Sequence, residues 1–276
     1  MKYRRLSILE IVYFNEDIFV DEDVEACFLR RLDASRHEIL CVSIVVIGDI
    51  LEFNRLLCFI KRIKSAGIAI SLTFYNCRNY NFHKSLKSEV GQIRISIEDD
   101  TDSCILRELY MQLKTPLNNV IFLFEITRLD RFIPFAGLLE ENQFIYNISY
   151  SSSISYDSYW ELAKYVSELK KRYPLKIIQE FTCAGVKFNN LKGVCPAKTS
   201  LMCIDVNGSI MYCFRDCYNH NLNIFDGGFD ELFDKLGKNF AKCSTRRCNE
   251  LEYEKCYDGC PLNMKCSTNH FCLYKK

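Results

Sequence analysis

A chain of 276 residues with 49% hydrophobic content is long enough for one large domain and a small appendage, and it can fill a sizeable core, which excludes a disordered protein. Its 36 Lys and Arg balance 35 Asp and Glu, so a net charge of +1 excludes the strongly basic surface that nucleic acid or an anionic membrane selects. The N-terminus opens basic, as a secretion signal does, but Glu10, Asn15, Glu16 and Asp17 interrupt its apolar run before it reaches the length that export or membrane spanning needs. The expectation is a cytoplasmic protein, in which 16 cysteines are kept reduced for metals or catalysis instead of being spent on disulfides.

In chain order, β-rich apolar runs alternate with stretches of helical period. Strands are predicted at Leu6–Phe14, Ile39–Ile47, Ile68–Tyr75, Gln92–Ile97, Val120–Thr127, Phe144–Ser149 and Leu175–Phe181. Helices are predicted at Asp21–Leu32, Ile50–Ala66, Thr101–Lys114, Ile133–Glu140 and Tyr156–Arg172. Gly67 stops the second helix and Pro174 fits the turn after the last one. A β-then-α rhythm makes parallel sheets with right-handed crossovers, so the fold class is α/β, either an open doubly wound sheet or a complete or partial barrel. The near-continuous apolar runs Cys41–Ile47 and Val120–Phe124 read as strands covered on both faces.

This part carries no Gly-rich phosphate loop, no G-x-S-x-G elbow and no H-E-x-x-H. The histidines His37, His83, His220 and His270 form no recognisable constellation and read as surface or packing residues. Cys27, Cys41 and Cys58 are scattered along predicted helices and strands and read as buried small hydrophobes.

After Phe181 the texture changes, and a boundary near 182–194 divides the chain into 1–182 and 183–276. Five cysteines fall in 1–182 and eleven in 183–276, so the two parts have different work. An Asn207-Gly208 turn between Ile204–Val206 and Ser209–Tyr212 predicts a hairpin that presents Cys203 and Cys213 near its open end. Phe229–Phe240 predicts an amphipathic packing helix. The later group Cys243, Cys248, Cys256, Cys260, Cys266 and Cys272 is spaced so that one loop wraps a metal. Ligation by cysteine with almost no histidine selects soft-thiolate metals: zinc held by four thiolates, or an iron–sulfur cluster.

Cys195-x12-Gly208-x4-Cys213, followed after a gap by cysteines ending Cys256-x3-Cys260 and a later cysteine, resembles the SPASM domain at the C-terminus of many radical S-adenosylmethionine enzymes. The resemblance implies two auxiliary [4Fe–4S] clusters. Cys195, Cys203, Cys213 and Cys260 would hold the first, and Cys243, Cys248 and Cys256 the second, completed by Cys272 or Cys266. The family's usual x2 and x5 stand here as x4 and x7, between Cys243, Cys248 and Cys256. Upstream, Val45-Val-Ile-Gly-Asp-Ile-Leu-Glu-Phe53 is similar to the strand-two Gly-Gly-Glu-Pro turn of the radical SAM core, and Arg94-Ile-Ser-Ile-Glu-Asp-Asp100 resembles its SLDG strand. The fold implied is a partial (β/α)6 TIM-like barrel over 1–182 and a small SPASM domain over 183–276.

The defining C-x3-C-x2-C after the first strand is absent, because Asn15–Asp23 contains no cysteine. Three thiolates from that loop hold the cluster that chelates and reduces S-adenosylmethionine, so this cofactor is not expected here. The resemblance is therefore to a pseudo-radical-SAM protein: a non-catalytic iron–sulfur partner in maturation of a ribosomally made peptide. It would relay electrons to an active radical SAM enzyme or dock the precursor peptide, which the barrel or the SPASM module must hold, because no separate leader-binding domain is expected before Leu6. Two alternatives stand beside it. One is a peptide-binding module whose zinc or clusters are purely structural; the other is a divergent radical SAM/SPASM enzyme.

Overall fold

The computed structural model describes residues 5–14, 21–48, 53–75, 85–97, 103–113, 119–126, 130, 133, 145–150, 156–173, 177–179, 200–213 and 220–244. Among the described residues nine strands form one sheet: β1 (Ile8–Phe14), β2 (Cys41–Ile47), β3 (Ala69–Tyr75), β4 (Gln92–Ile97), β5 (Asn119–Ile126), β6 (Ile145–Tyr150), β7 (Ile177–Gln179), β8 (Leu201–Asp205) and β9 (Ile210–Met211). Their order across the sheet is β7-β6-β5-β4-β3-β2-β1-β8-β9. From β1 to β7 every neighbour is the next strand in sequence and every pairing is parallel. A doubly wound sheet reverses direction at a switch point, and a run without reversal is the winding of a barrel. The sheet keeps two edges, so the architecture is a partial TIM-like barrel.

The crossovers are α1 (Glu22–Ala34), α2 (Phe53–Ser65), the single-turn α3 (Leu86–Glu89), α4 (Ser103–Leu113) and α5 (Tyr156–Arg172). Asp21 caps α1, its side chain accepting from the Asp23 amide at 2.8 Å, and Glu22, Asp23 and Glu25 place negative charge at the positive end of the helix. Val24, Cys27, Phe28 and Leu32 then fall on one stripe and are buried. In α2 the stripe is Leu56, Leu57, Phe59, Ile60 and Ile63, and the helix stops at Gly67, whose φ of +78° is the left-handed conformation a side chain resists. Glu25 ties the two helices together through Arg62 at 2.8 Å and Arg55 at 3.8 Å.

These helical stripes pack on one face of the sheet. Leu9, Ile11 and Tyr13 of β1, Val42, Ile44 and Val46 of β2, Ile70, Leu72 and Phe74 of β3, and Ile93, Ile95 and Ile97 of β4 share a single apolar cluster with them. Each such side chain, fully buried, contributes roughly 1.5–3 kcal/mol of transfer free energy. Alternation sends the other residues of each strand to the opposite face. There the register aligns Gln92, Ser71, Ser43, Glu10 and Cys203 in one row across five strands. Val120–Phe124 of β5 is buried at every residue, as expected for a strand covered on both faces; the second face of β2 is buried at Val45, in a smaller apolar cluster with Val12, Cys203 and Met211, and half-buried at Cys41, Ser43 and Ile47. Three polar residues on that face, Glu10, Ser71 and Thr73, are themselves buried.

The C-terminal part joins the same body. β8 pairs in parallel with β1, from Ile8 opposite Leu201 to Val12 opposite Asp205, and β9 pairs antiparallel with β8. Helix α6 (Phe229–Ser244) lays Phe229, Leu232, Phe233 and Leu236 into the cluster that α1 and α2 occupy, with Phe229 against Phe28 at a ring separation of 5.7 Å. The predicted helix at Ile133–Glu140 falls almost wholly outside the described residues, within which Ile133 is exposed. Among the described residues no helix is long and apolar enough to cross a membrane.

Candidate metal centre

The hairpin that carries Cys203 and Cys213 is built around Asp205. Its side-chain oxygen accepts from the amides of Asn207 at 2.9 Å and Ser209 at 2.8 Å, while its carbonyl accepts from the Gly208 amide at 3.0 Å and its own amide donates to Ser209 at 3.1 Å. The loop is therefore Val206-Asn207-Gly208 closed by an Asp205–Ser209 pair. A two-residue Asn-Gly turn of the mirror-image kind needs positive φ at both residues. Here Gly208 has φ +79°, and Asn221 is the non-glycine residue with positive φ among those described.

Gly208 is also closely packed. A Cβ added there would lie 2.7 Å from Ile224 Cγ2 and 3.3 Å from Val24 Cγ1, and its carbonyl accepts from the Ile224 amide at 2.7 Å. The Gly208 of the cysteine spacing is thus the point where hairpin, α1 and the 3-10 turn Ile224–Asp226 meet. Gly208→Ala is expected to cost about 1–3 kcal/mol through left-handed strain and this clash, read as a lowered denaturation midpoint.

Within the hairpin, Cys203 stands opposite Met211, and Cys213 lies two residues past the end of β9, packed against the larger apolar cluster. Cys203 is wholly buried, packed with Val12, Val45 and Met211, and Cys213 is half-buried. Burial first, then the Glu10 carboxylate and the Cys213 thiol beside it, push the Cys203 thiol well above its usual range. A metal takes the thiolate, so ligation there would have to overcome that shift. Tyr212, between the hairpin and α6, donates its hydroxyl to the Leu236 carbonyl at 2.8 Å and takes His220 edge-on at 4.7 Å.

Of the predicted ligands, the structure brings Cys203 and Cys213 together. Cys243 belongs to the last turn of α6. Cys195, Cys248, Cys256, Cys260, Cys266 and Cys272 lie outside the described residues. Among the described residues no group of three or more Cys, His, Asp or Glu is placed to hold a metal ion. The two thiols are soft donors on one hairpin, of the type a thiolate-held metal takes, and would supply two of four ligands.

The other cysteines need one correction. Cys27 is buried, donating to the Ile224 carbonyl at 3.9 Å, but Cys41 is only half-buried and Cys58 is exposed. Cys58 sits on the side of α2 opposite the buried Leu56-Phe59-Ile60-Ile63 stripe. Cys41, with its thiol raised by burial and pulled back by Ser71 and Arg94, faces the polar side of the sheet. His37 is exposed and His220 half-buried, while His83 and His270 lie outside the described residues.

Residue reading overlooked Glu10. It counted only as an interruption of an apolar run, yet it is a buried carboxyl in the middle of β1, directly opposite Cys203. The available signal was a lone acid inside Ile8-Leu-Glu-Ile-Val-Tyr-Phe14, a run otherwise suited to a covered strand.

No protein-family model matches the sequence, and no curated protein matches it. Among solved structures, the chain is similar to SuiB of Streptococcus suis, a radical SAM-type protein, with a TM-score of 0.64 at 16% identity over 94% of this chain and 74% of that one. The 3-dehydroquinate dehydratase of Aquifex aeolicus aligns with a TM-score of 0.44 at 12% identity, over 84% of this chain and 98% of that one, too loosely to bear on the fold. At 16% identity the likeness to SuiB is one of fold, and the chain has a radical-SAM-like fold.

Proposed function

We propose that the chain is a non-catalytic, cluster-bearing partner of an active radical SAM enzyme in the maturation of a ribosomally made peptide, working in a reducing compartment. The observation that carries this reading is a radical-SAM-like fold whose connection from β1 to α1, residues 15–21, holds no cysteine. Chelation and reduction of S-adenosylmethionine need three thiolates there, so the chain's own contribution moves to its C-terminal cysteines. Cys195, Cys203, Cys213 and Cys260 would hold one auxiliary [4Fe–4S] cluster, and Cys243, Cys248 and Cys256 with Cys266 or Cys272 a second. When bound, such clusters supply one-electron transfer to or from the partner's active site.

What this chain's residues do is hold and orient. The Asp205 turn fixes β8 against β9, and the β1–β8 pairing fixes the hairpin against the barrel, so Cys203 reaches the polar face of the sheet and not a detached appendage. A cluster there sits where a peptide lying on that face comes close to it. The reading is tested with the isolated chain, anaerobically reconstituted with iron and sulfide, given a strong reductant and S-adenosylmethionine. The expected result is bound iron without cleavage of S-adenosylmethionine. Cleavage to 5′-deoxyadenosine would return the chain to the enzymes, and bound zinc in place of iron would favour the purely structural metal module.

A further inference from the structure

On β2, β3 and β4 the face of the sheet turned away from the helices carries one charged residue, Arg94. Arg94 stands beside Thr73 in the β3–β4 register, next to the row of Gln92, Ser71 and Ser43. Ser71 and Thr73 are buried, while Ser43, Gln92 and Arg94 are half-buried, so the guanidinium is partly withdrawn from water yet reachable from it. Its Nε donates to Gln92 Oε1 at 2.7 Å, which engages one of five N–H donors and fixes the plane of the fork. Stability alone favours a β-branched or aromatic residue in the middle of a strand, because withdrawing a guanidinium from water costs free energy that a pairing anion restores. A pinned fork among hydroxyls, on three strands whose shared face has no acid, is complementary to a carboxylate. We propose that Arg94 is a specificity-determining residue that takes an acidic side chain of a peptide lying on this face; this deepens, and rests on, the peptide-partner reading above.

The placement is rigid, since Ser43, Ser71, Thr73, Gln92 and Arg94 all belong to three successive strands of one parallel ladder and none to a loop. A single guanidinium matches the two oxygens of a carboxylate in a bidentate pair, whereas a phosphate carries a further charge and calls for further cations, which these strands do not place on that face. Arg94 also has a reporter beside it. The half-buried Cys41 thiol hydrogen-bonds Ser71 and lies within the field of the Arg94 charge, so a carboxylate seated on Arg94 covers the approach to Cys41.

The experiment follows alkylation of Cys41 by iodoacetamide in the full-length reconstituted chain, read by peptide mass spectrometry, with the exposed Cys58 of α2 as internal standard. The probes are N-acetylglutamate methylamide, which presents its carboxylate as a peptide does, the matching glutamine compound, and succinate as a free acid. The expected result is saturable slowing at Cys41 by the glutamate probe, none by the glutamine probe, and no change at Cys58. Half-saturation should rise roughly tenfold in Arg94→Met, as for loss of a charge-assisted bidentate contact. Arg94→Lys keeps the charge without the fork; it is expected to recover only part of the loss, and it keeps the test alive if the methionine variant fails to fold. No slowing by any probe, equal slowing by the glutamate and glutamine probes, or slowing that both Arg94 variants leave unchanged overturns the proposal. Slowing by succinate without slowing by the glutamate probe overturns it too, because Arg94 would then serve a free acid. Iron in the same preparation judges the cluster reading separately: a chain without iron contradicts that reading, while the alkylation result stands on its own.

Discussion

Replacing Phe28 by alanine is expected to destabilise the chain by about 3–5 kcal/mol, the range for emptying a buried aromatic site. Phe28 is wholly buried on α1, with Phe59 of α2 and Phe229 of α6 each at a ring separation of 5.7 Å, in tilted rather than stacked orientation. Those rings belong to elements almost 200 positions apart in sequence, and with Gly208 beneath Ile224 they tie the C-terminal hairpin and helix to the barrel. Since a domain's whole stability is about 5–15 kcal/mol, the loss takes a large share of it. Denaturant unfolding followed by circular dichroism and by Trp160 fluorescence should show one coincident transition, moved to lower denaturant in Phe28→Ala. Two separate transitions in the wild type would contradict the shared core.

On the proposed cluster assignment, Cys203→Ala is expected to lower bound iron from about eight to about four per chain while the protein stays folded, because one of two four-iron clusters would lose a ligand. The alanine fits the site: it removes only a sulfur from a pocket of Val12, Val45 and Met211, for which a cost of roughly 1 kcal/mol is expected. Iron quantification with a parallel circular dichroism spectrum checks both halves of the expectation. Unchanged iron in Cys203→Ala would mean that the hairpin thiols are not ligands and that Cys203 is a packing residue.

Much of the barrel is written in local patterns. Gln92–Ile97 alternates without exception, and its buried and less buried residues alternate in the fold as the period of two requires. Tyr156–Arg172 carries the 3.6-residue stripe Leu162, Val166 and Leu169 and ends in Lys170, Lys171 and Arg172, so both type and limits are legible. The four-residue helix at Leu86–Glu89 is too short to display a period and went unread. The helix from Phe229 continues to Ser244, past the predicted Phe240, because the segment 241–244 adds no breaker to stop it.

Long-range pairing is the part that local pattern cannot carry. Nothing in Leu201–Asp205 announces that it will lie beside Ile8–Val12, almost 200 residues earlier, and that pairing is what turns Glu10 from an interruption into the neighbour of Cys203. The hairpin was legible from Asn207-Gly208, but its loop is set by Asp205, whose side chain competes for the Asn207 and Ser209 amides and draws a third residue into the turn. The spacing from Cys195 to Cys213 carried the resemblance, and within it the structure gives Gly208 a physical reason in its φ and its contact with Ile224.

The central proposal is that this chain holds iron–sulfur clusters on a radical-SAM-like fold whose β1–α1 connection, residues 15–21, contains no cysteine. It is tested most directly by quantifying metal and sulfide in the full-length protein after anaerobic reconstitution. The account predicts about eight irons and as many sulfides per chain, with a broad absorbance near roughly 400 nm that bleaches on reduction. A folded protein with no iron, or with zinc alone and no such absorbance, would contradict it.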